Sequence, residues 1–359
     1  MEHNDRSTMR RNWTVERVLD ENEKAARCAF SRQRNVRRAL LYRAQHGELV
    51  QPAMNCFARP RYWNQLTPAQ QLEHVCRALQ SSHANICFTG PTAAVVYGCE
   101  VSYDILKGPS FAGPFFCVAN KNVRTTKNLR YVKSNRTNAM MMNGIQVVCF
   151  EQMLIDTANI LDFPHALVVF DSAMRLGNNP AKLREYMGRF ANAQPNVEKL
   201  LHYTDGNSEN GGESLARGVI IELGFMVPYL QVEFVDRATG KQYRVDFLWR
   251  LPDGTVIVGE FDGIAKYREQ QMLGTRTMQQ KVQDERERDK ALERCGVHHI
   301  VHFTYADVCN KYRLRNKLEK VGVPMHVKDS HSLANFREPT YIGLQNRSHI
   351  GHSSRCDLK

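Results

Sequence analysis

Between residues 213 and 304 the apolar positions change period several times, and each change marks an element. In ESLARGVIIELG, Leu215, Val219, Ile220 and Leu223 share one helical stripe that ends at Gly224. Strands are predicted at 229–235, 243–250 and 255–262, the last two joined by the turn Pro252-Asp253-Gly254. In YRVDFLW the period of two puts Tyr243, Val245, Phe247 and Trp249 on one face, with Arg244, Asp246 and Leu248 on the other. A long charged helix follows from about 276 to 295, closed by Gly296, and HHIVHFTY reads as a further strand. Helix, three strands, helix, strand is the order of an α/β sandwich around a mixed sheet.

Upstream, helices are expected at 15–28 and at 36–46, the second with Val36, Leu40 and Leu41 on its apolar side and Gly47 at its end. ELVQP reads as a short strand and MNCFARPRYW as a second strand or wing. Thr67-Pro68 supplies an N-cap and first-turn proline for a helix over 67–80. ANICFTGPTAAVVYGCEV gives strand, turn and small-residue helix. Its Gly90-Pro91-Thr92 lacks the pattern of a phosphate-binding loop. Strands at 115–119 and 145–150 precede helices at FEQMLIDTANIL, 164–176 and 181–190. The polar stretch YTDGNSENGG at 203–212 is the clearest boundary. The expected regions are therefore 1–66, 67–200, 205–325 and a tail at 326–359, in a chain of α/β (α+β) class.

Charge changes the picture more than composition does. With 49 Lys/Arg against 37 Asp/Glu the chain carries a net charge of +12, which makes a polyanion the first partner to consider. Residues 1–66 hold 13 basic and 7 acidic side chains, and KNVRTTKNLRYVKSNR at 121–136 holds six basic residues and no acid. Helices followed by a small hairpin, with Arg32, Arg34, Arg37, Arg38 and Arg43 on the second helix, fit a winged helix-turn-helix that contacts phosphates. The plainer alternative is a basic amphipathic helix packed on a neighbour. No apolar run reaches about 18 residues and the N-terminus has no apolar signal core, so neither a membrane span nor secretion is expected. Ten cysteines without a C-x-x-C pair suggest reduced thiols in a cytoplasm, and neither a disulfide framework nor a zinc site.

The chemistry concentrates in VIVGEFDGIAKY. Val256, Ile257, Val258 and Phe261 read as a buried strand, yet Glu260 and Asp262 sit on it two residues apart. A charged group in a core is costly unless it is compensated. Aspartate is also disfavoured within a strand, and hairpin pairing can bring Asp246 close to Glu260. Two like charges about 4 Å apart repel by roughly 4 kcal/mol at an effective dielectric near 20, and a divalent cation reverses that sign. Hard oxygen ligands suit Mg²⁺. Glu213, in the first turn of the preceding helix, can lean toward the same sheet end or simply favour the helix N-terminus. The structural alternative is that Asp246 and Glu260 are satisfied by Arg244 or Arg286. Phosphodiester hydrolysis is the reaction such a site serves, with Lys266 or Lys281 steadying developing charge.

Residues 205–310 resemble a restriction-endonuclease-like domain of the PD-(D/E)xK superfamily, and more specifically domains related to very-short-patch-repair endonucleases. The resemblance runs through ESLAR, the Leu-Gly at 223–224, Pro228, Gln231, VDF, GEFDG, the Lys266-Tyr267 pair, ERERD and CGVHHIVHFTYADV. One departure stands out: where the superfamily has E-x-K, this chain has Glu260-Phe261-Asp262. Either Lys266 or Lys281 substitutes, or cleavage has been lost and binding kept. Residues 15–190 resemble, more loosely, the AbiEi-type antitoxins of bacterial toxin–antitoxin systems. GELVQPAMNCFARPRYW carries that likeness at the wing, TGPTAAVVYG at a helix start and GIQVVCFEQMLIDTA at a strand-to-helix junction, where Gln152-Met153 replace an Arg-Thr pair. These resemblances imply a winged helix, a small central α/β domain, DNA as partner and a toxin as a possible second one. The expected site has Asp246 and Glu260 as ligands of Mg²⁺ or Mn²⁺. Glu213 and Asp262 support them, with Lys266 ahead of Lys281 as the basic group. The rival expectation is an antitoxin-like repressor with an inactive nuclease fold.

Overall fold

The computed structural model describes residues 13–106, 115–119, 129–133, 138–189, 194–263 and 275–325. Fourteen helices and ten strands lie among the described residues, in a mixed α/β arrangement. Helices α1 (Trp13–Lys24) and α2 (Arg34–Gln45) are followed by a hairpin of β1 (Val50–Ala53) and β2 (Cys56–Ala58). Val15, Leu19, Val36, Leu40, Leu49 and Phe57 close a small core among them. Arginines hold the outside of that core. Arg43 donates to Glu16 at 2.6 Å, and Arg59 reaches Glu16, Asp20 and Glu23 at 2.7, 2.8 and 2.9 Å. The strand expected through residue 63 stops early, because Pro60 opens helix α3 (Pro60–Trp63) and offers no amide to a ladder.

Helix α4 (Pro68–Ser82) begins at the Thr67 cap, which forms a reciprocal box with Gln70. Helices α5 (Gly90–Val96) and α6 (Tyr103–Leu106) follow. Strands β3 (Phe115–Ala119) and β4 (Leu129–Lys133) pair in parallel; β5 (Ala139–Met142) and β6 (Ile145–Val148) pair antiparallel. Phe88 bridges Cys117 of β3 and Val147 of β6 and so joins the two pairs. The strand expected to reach residue 150 ends at Val148, since α7 (Phe150–Ile160) starts there. Helices α8 (Phe163–Arg175), α9 (Pro180–Met187) and α10 (Pro195–Tyr203) complete this part. Gly90 is a packing position: its φ is +54°, and a Cβ there would lie 2.5 Å from Ile160.

Helix α11 (Gly211–Glu222) is capped by Asn210, whose side chain accepts from the amides of Gly212 and Glu213. Then come β7 (Tyr229–Val235), β8 (Gln242–Arg250), β9 (Val256–Asp262), α12 (Thr275–Arg294), β10 (His299–Thr304), α13 (Tyr305–Cys309) and α14 (Lys311–Lys320). The four strands form one mixed sheet in the order β10-β9-β8-β7, with only β10 and β9 parallel. One face packs Phe247, Trp249, Ile257, Phe261 and Phe303 against α11, α13 and α14. The other packs Val245, Leu248, Val256 and Val258 against Leu292 of α12 and Val297.

Segment 203–212 is held in place by hydrogen bonds at several points. Asp205 donates its amide to Asp171 at 2.9 Å, and Arg175 donates to the Ser208 carbonyl at 2.6 Å. Helix α11 lies against α8 so closely that a Cβ on Gly218 would meet Pro164 Cα at 2.7 Å. Val168 of α8 belongs to the apolar cluster of the sheet, and the chain to Met325 makes one compact unit. No helix among the described residues is long and apolar enough to cross a membrane.

Candidate functional site

The sheet changes character at one cross-strand position. Leu230 pairs with Phe247 and Val232 with Val245, leaving Gln231 opposite Asp246. Leu230 and Phe247 belong to the cluster under α11, whereas Val232 and Val245 belong to the cluster under α12. Both strands therefore exchange faces at the Gln231/Asp246 pair. The expected alternation of Val245 with Phe247 is broken there. Gln231 absorbs the change with a φ of +51°, in the left-handed region that non-glycine residues rarely occupy.

The ladder between β8 and β9 runs from Arg250↔Val256 to Phe247↔Gly259. Beyond it the Asp246 side chain takes the place of a backbone partner, its Oδ2 accepting from the Phe261 amide at 2.9 Å. Asp246 Oδ1 accepts from Gln231 Nε2 at 3.4 Å, and the same amide nitrogen donates to Glu213 Oε2 at 2.9 Å. Glu213 also accepts from the Glu209 amide at 2.8 Å and from Asn210 Nδ2 at 2.6 Å. One glutamine thus links an acid from the helix to an acid from the sheet.

Glu213 is 5% exposed, and burial pushes its carboxyl up to about 7; neighbouring Asp246 and Glu209 add to the rise, while donors from Glu209 and Gln231 oppose it. Glu260 is 9% exposed and is met by Arg288 of α12. Burial raises it to about 6, with Asp246 adding and Arg288 opposing. Asp246 is the common neighbour of both acids. Glu213, Asp246 and Phe261 line a cleft of about 540 Å³, which Gly211, Gly212 and Tyr305 help to wall.

Asp262 joins a different group. Its carboxylate, that of Glu285 and the His302 ring offer donor atoms that all lie within 4.8 Å of one another. His302 Nδ1 is 3.3 Å from Glu285 and Nε2 is 3.4 Å from Asp289. The parallel register sets His302 beside Glu260. Lys266 lies outside the described residues. Lys281 falls on α12, and its side chain also lies outside them. The cation found at Glu260 is Arg288, which donates to Oε1 at 2.5 Å and to the Arg244 carbonyl at 2.5 Å. Arg244 itself pairs with Glu209.

Sequence reasoning missed Arg288 and His302 as members of the site, and it cited Gln231 only within a motif. The signal for His302 was available: it is a polar residue at an alternate position of a strand that must pair with β9. Arg288 lies in the ERERD run, where nothing in the pattern separates it from its neighbours.

The proposed DNA-contacting arginines divide into two groups. Arg34, Arg37 and Arg38 are exposed on α2. Arg32 precedes the helix and donates to the Ser81 carbonyl at 3.0 Å. Arg43 is 8% exposed and bound to Glu16 and Glu48, so it is a strut of the small core and not a free phosphate contact. Much of the basic run at 121–136 lies outside the described residues. Gln152 is buried, donating to Asp156 at 2.8 Å and accepting from Tyr186 at 3.2 Å, while Met153 is fully buried.

No family model matches this chain. Two uncharacterized proteins of Mycobacterium tuberculosis, from two strains, are each 26% identical to it over 204 residues, covering 53% of this chain and 69% of theirs.

Proposed function

We propose that this chain is a bacterial cytoplasmic DNA-binding protein whose C-terminal sheet is a Mg²⁺-dependent endodeoxyribonuclease of the restriction-endonuclease-like kind. The observation that carries the reading is the Glu213–Gln231–Asp246 link at the point where β8 leaves β9, with Glu260 beyond Asp246. Buried acids that raise one another's affinity for protons, beside a cleft, mark a functional-site candidate, and a divalent cation is the partner that would offset their repulsion.

The donor set is all hard oxygen, which fits Mg²⁺ or Mn²⁺ held by Asp246 and Glu260. When bound, such a cation supplies charge neutralisation at a phosphate and a lowered pKa for water. The chain's own contributions follow from position. Gln231 orients Glu213 and Asp246 together by donating to both carboxylates. Arg288 places positive charge at Glu260, where the superfamily's lysine is missing. Helices α1 and α2 with the β1–β2 hairpin serve as a winged helix, and Arg34, Arg37 and Arg38 contact phosphates. The segment 67–200 is read as the AbiEi-like part, with a cognate toxin as its partner.

A second reading has one observation in its favour. Arg288 already occupies Glu260 and an acid stands at the usual lysine position, as in a nuclease fold kept for binding within a repressor. Plasmid nicking with and without Mg²⁺ separates the two. The enzyme reading expects Mg²⁺-dependent nicking that Glu260→Gln abolishes with DNA affinity nearly unchanged. Tight duplex binding with no cleavage of duplex, single-stranded or mismatched DNA would replace it with the repressor reading.

A further inference from the structure

We propose that Asp262, Glu285 and His302 form a second cation site, one that takes a first-row transition metal such as Mn²⁺ in preference to Mg²⁺. Its ligands come from three elements, β9, α12 and β10, and share no side chain with the Asp246–Glu260 pair. Their donor atoms converge within 4.8 Å of one another.

An imidazole among the donors sets this group apart from a patch of acids. Carboxylates alone suit Mg²⁺, Ca²⁺ and Mn²⁺, and adding an imidazole moves the preference away from Mg²⁺ and Ca²⁺ toward first-row transition ions, of which Mn²⁺ also keeps its affinity for the carboxylates. His302 is also held as metal-binding histidines usually are. One ring nitrogen is 3.3 Å from Glu285, and the other is 3.4 Å from the carboxylate of Asp289. Asp289 has a further oxygen, Oδ1, that is buried with no hydrogen-bond partner among the described residues. Three carboxylates therefore surround one imidazole, and Arg288 on the same helix is turned to Glu260. Glu285 is half exposed and His302 about one-third exposed, so a cation can reach the group from solvent. The cation's role, charge neutralisation beside the Glu260 end of the site, rests on the nuclease reading. Its binding does not.

The probe is Mn²⁺, followed by the loss of the free-ion paramagnetic resonance signal, with the full chain and its Asp246→Asn, Glu285→Gln, Asp289→Asn and His302→Gln variants. Glu285 is a half-exposed helical position, so its substitution leaves the fold in place even if His302→Gln does not. The proposal expects Glu285→Gln to lose one equivalent of bound Mn²⁺ that Asp246→Asn retains and that excess Mg²⁺ does not displace. Asp289→Asn is expected to weaken that equivalent by about 10- to 100-fold, as loss of a carboxylate behind a ligating histidine does. Should Asp246→Asn bind as much Mn²⁺ as wild type while Glu285→Gln still loses its equivalent, this site stands and the cation at Asp246 falls. Unchanged stoichiometry and affinity in Glu285→Gln would overturn the proposal, as would loss of all Mn²⁺ binding in Asp246→Asn.

Discussion

Helix α11 carries two buried charged residues one turn apart, and they live in opposite electrostatic conditions. Arg217 is 2% exposed; its Nη2 donates to both oxygens of Asp171 at 2.7 Å and its Nη1 to the Tyr203 carbonyl at 2.6 Å, while its buried Nε has no partner among the described residues. Glu213 is 5% exposed, and the donors that reach it, from Glu209, Asn210 and Gln231, are all neutral. The first site is a closed ion pair that fastens α11 to α8. The second sets one buried acid beside others in the lining of a cleft. A buried acid with its counter-charge in place is architecture; a buried acid facing other acids carries an electrostatic cost that nothing of opposite charge offsets among the described residues. The first also serves the second, since α11 fixed by Arg217 holds Glu213 against the sheet.

Breaking the closed pair should have the largest effect. Asp171→Asn leaves the Arg217 charge buried without its partner, and a loss of about 3–5 kcal/mol is expected in urea unfolding. A loss below about 1 kcal/mol would mean that the clamp is not what holds α11.

Removing the open acid should act in the other direction. Glu213 has its folded-state pKa raised from 4.5 to about 7, so its stabilising contribution is complete below 4.5 and is lost as pH rises to about 7. Glu213→Gln should therefore be more stable than wild type above pH 7, by an amount on the order of 3 kcal/mol. It should also flatten the fall in melting temperature between those two pH values. A wild-type melting temperature that rises over the same interval would contradict the assignment.

The arginines of α2 allow a finer comparison. Arg43→Ala removes a charged hydrogen-bonding strut and should destabilise the chain by about 1.5–3 kcal/mol. Arg37→Ala with Arg38→Ala should change stability by less than about 0.5 kcal/mol. That pair should instead weaken duplex binding and flatten its log–log salt dependence by about 0.9 per contact. An isotherm unaltered across salt concentrations would return both arginines to the solvated surface.

Much of this was legible in the chain. The order helix, three strands, helix, strand follows from changes of period, and β7 to β9 lie within a residue or so of the expected bounds. The burial of Arg43 was legible: residues 36, 40 and 43 share one helical stripe, so a core at Val36 and Leu40 carries Arg43 inward with them. The face exchange at Asp246 was not legible. It depends on Gln231 adopting a left-handed φ, for which a glutamine gives no local signal. Glu260 and Asp262 were read together because they share a strand face. The structure sends Glu260 to Arg288 and groups Asp262 with Glu285 and His302, a division made by α12, whose register over the sheet no periodicity encodes.

The cation proposed at Asp246 and Glu260 has a direct thermodynamic signature. Calorimetric titration of Mg²⁺ into wild type and Asp246→Asn tests it most directly. Saturable heat and a raised melting temperature are expected in wild type, both lost in the variant, because the cation relieves repulsion that asparagine has already removed. Equal, negligible heats in both proteins would contradict it.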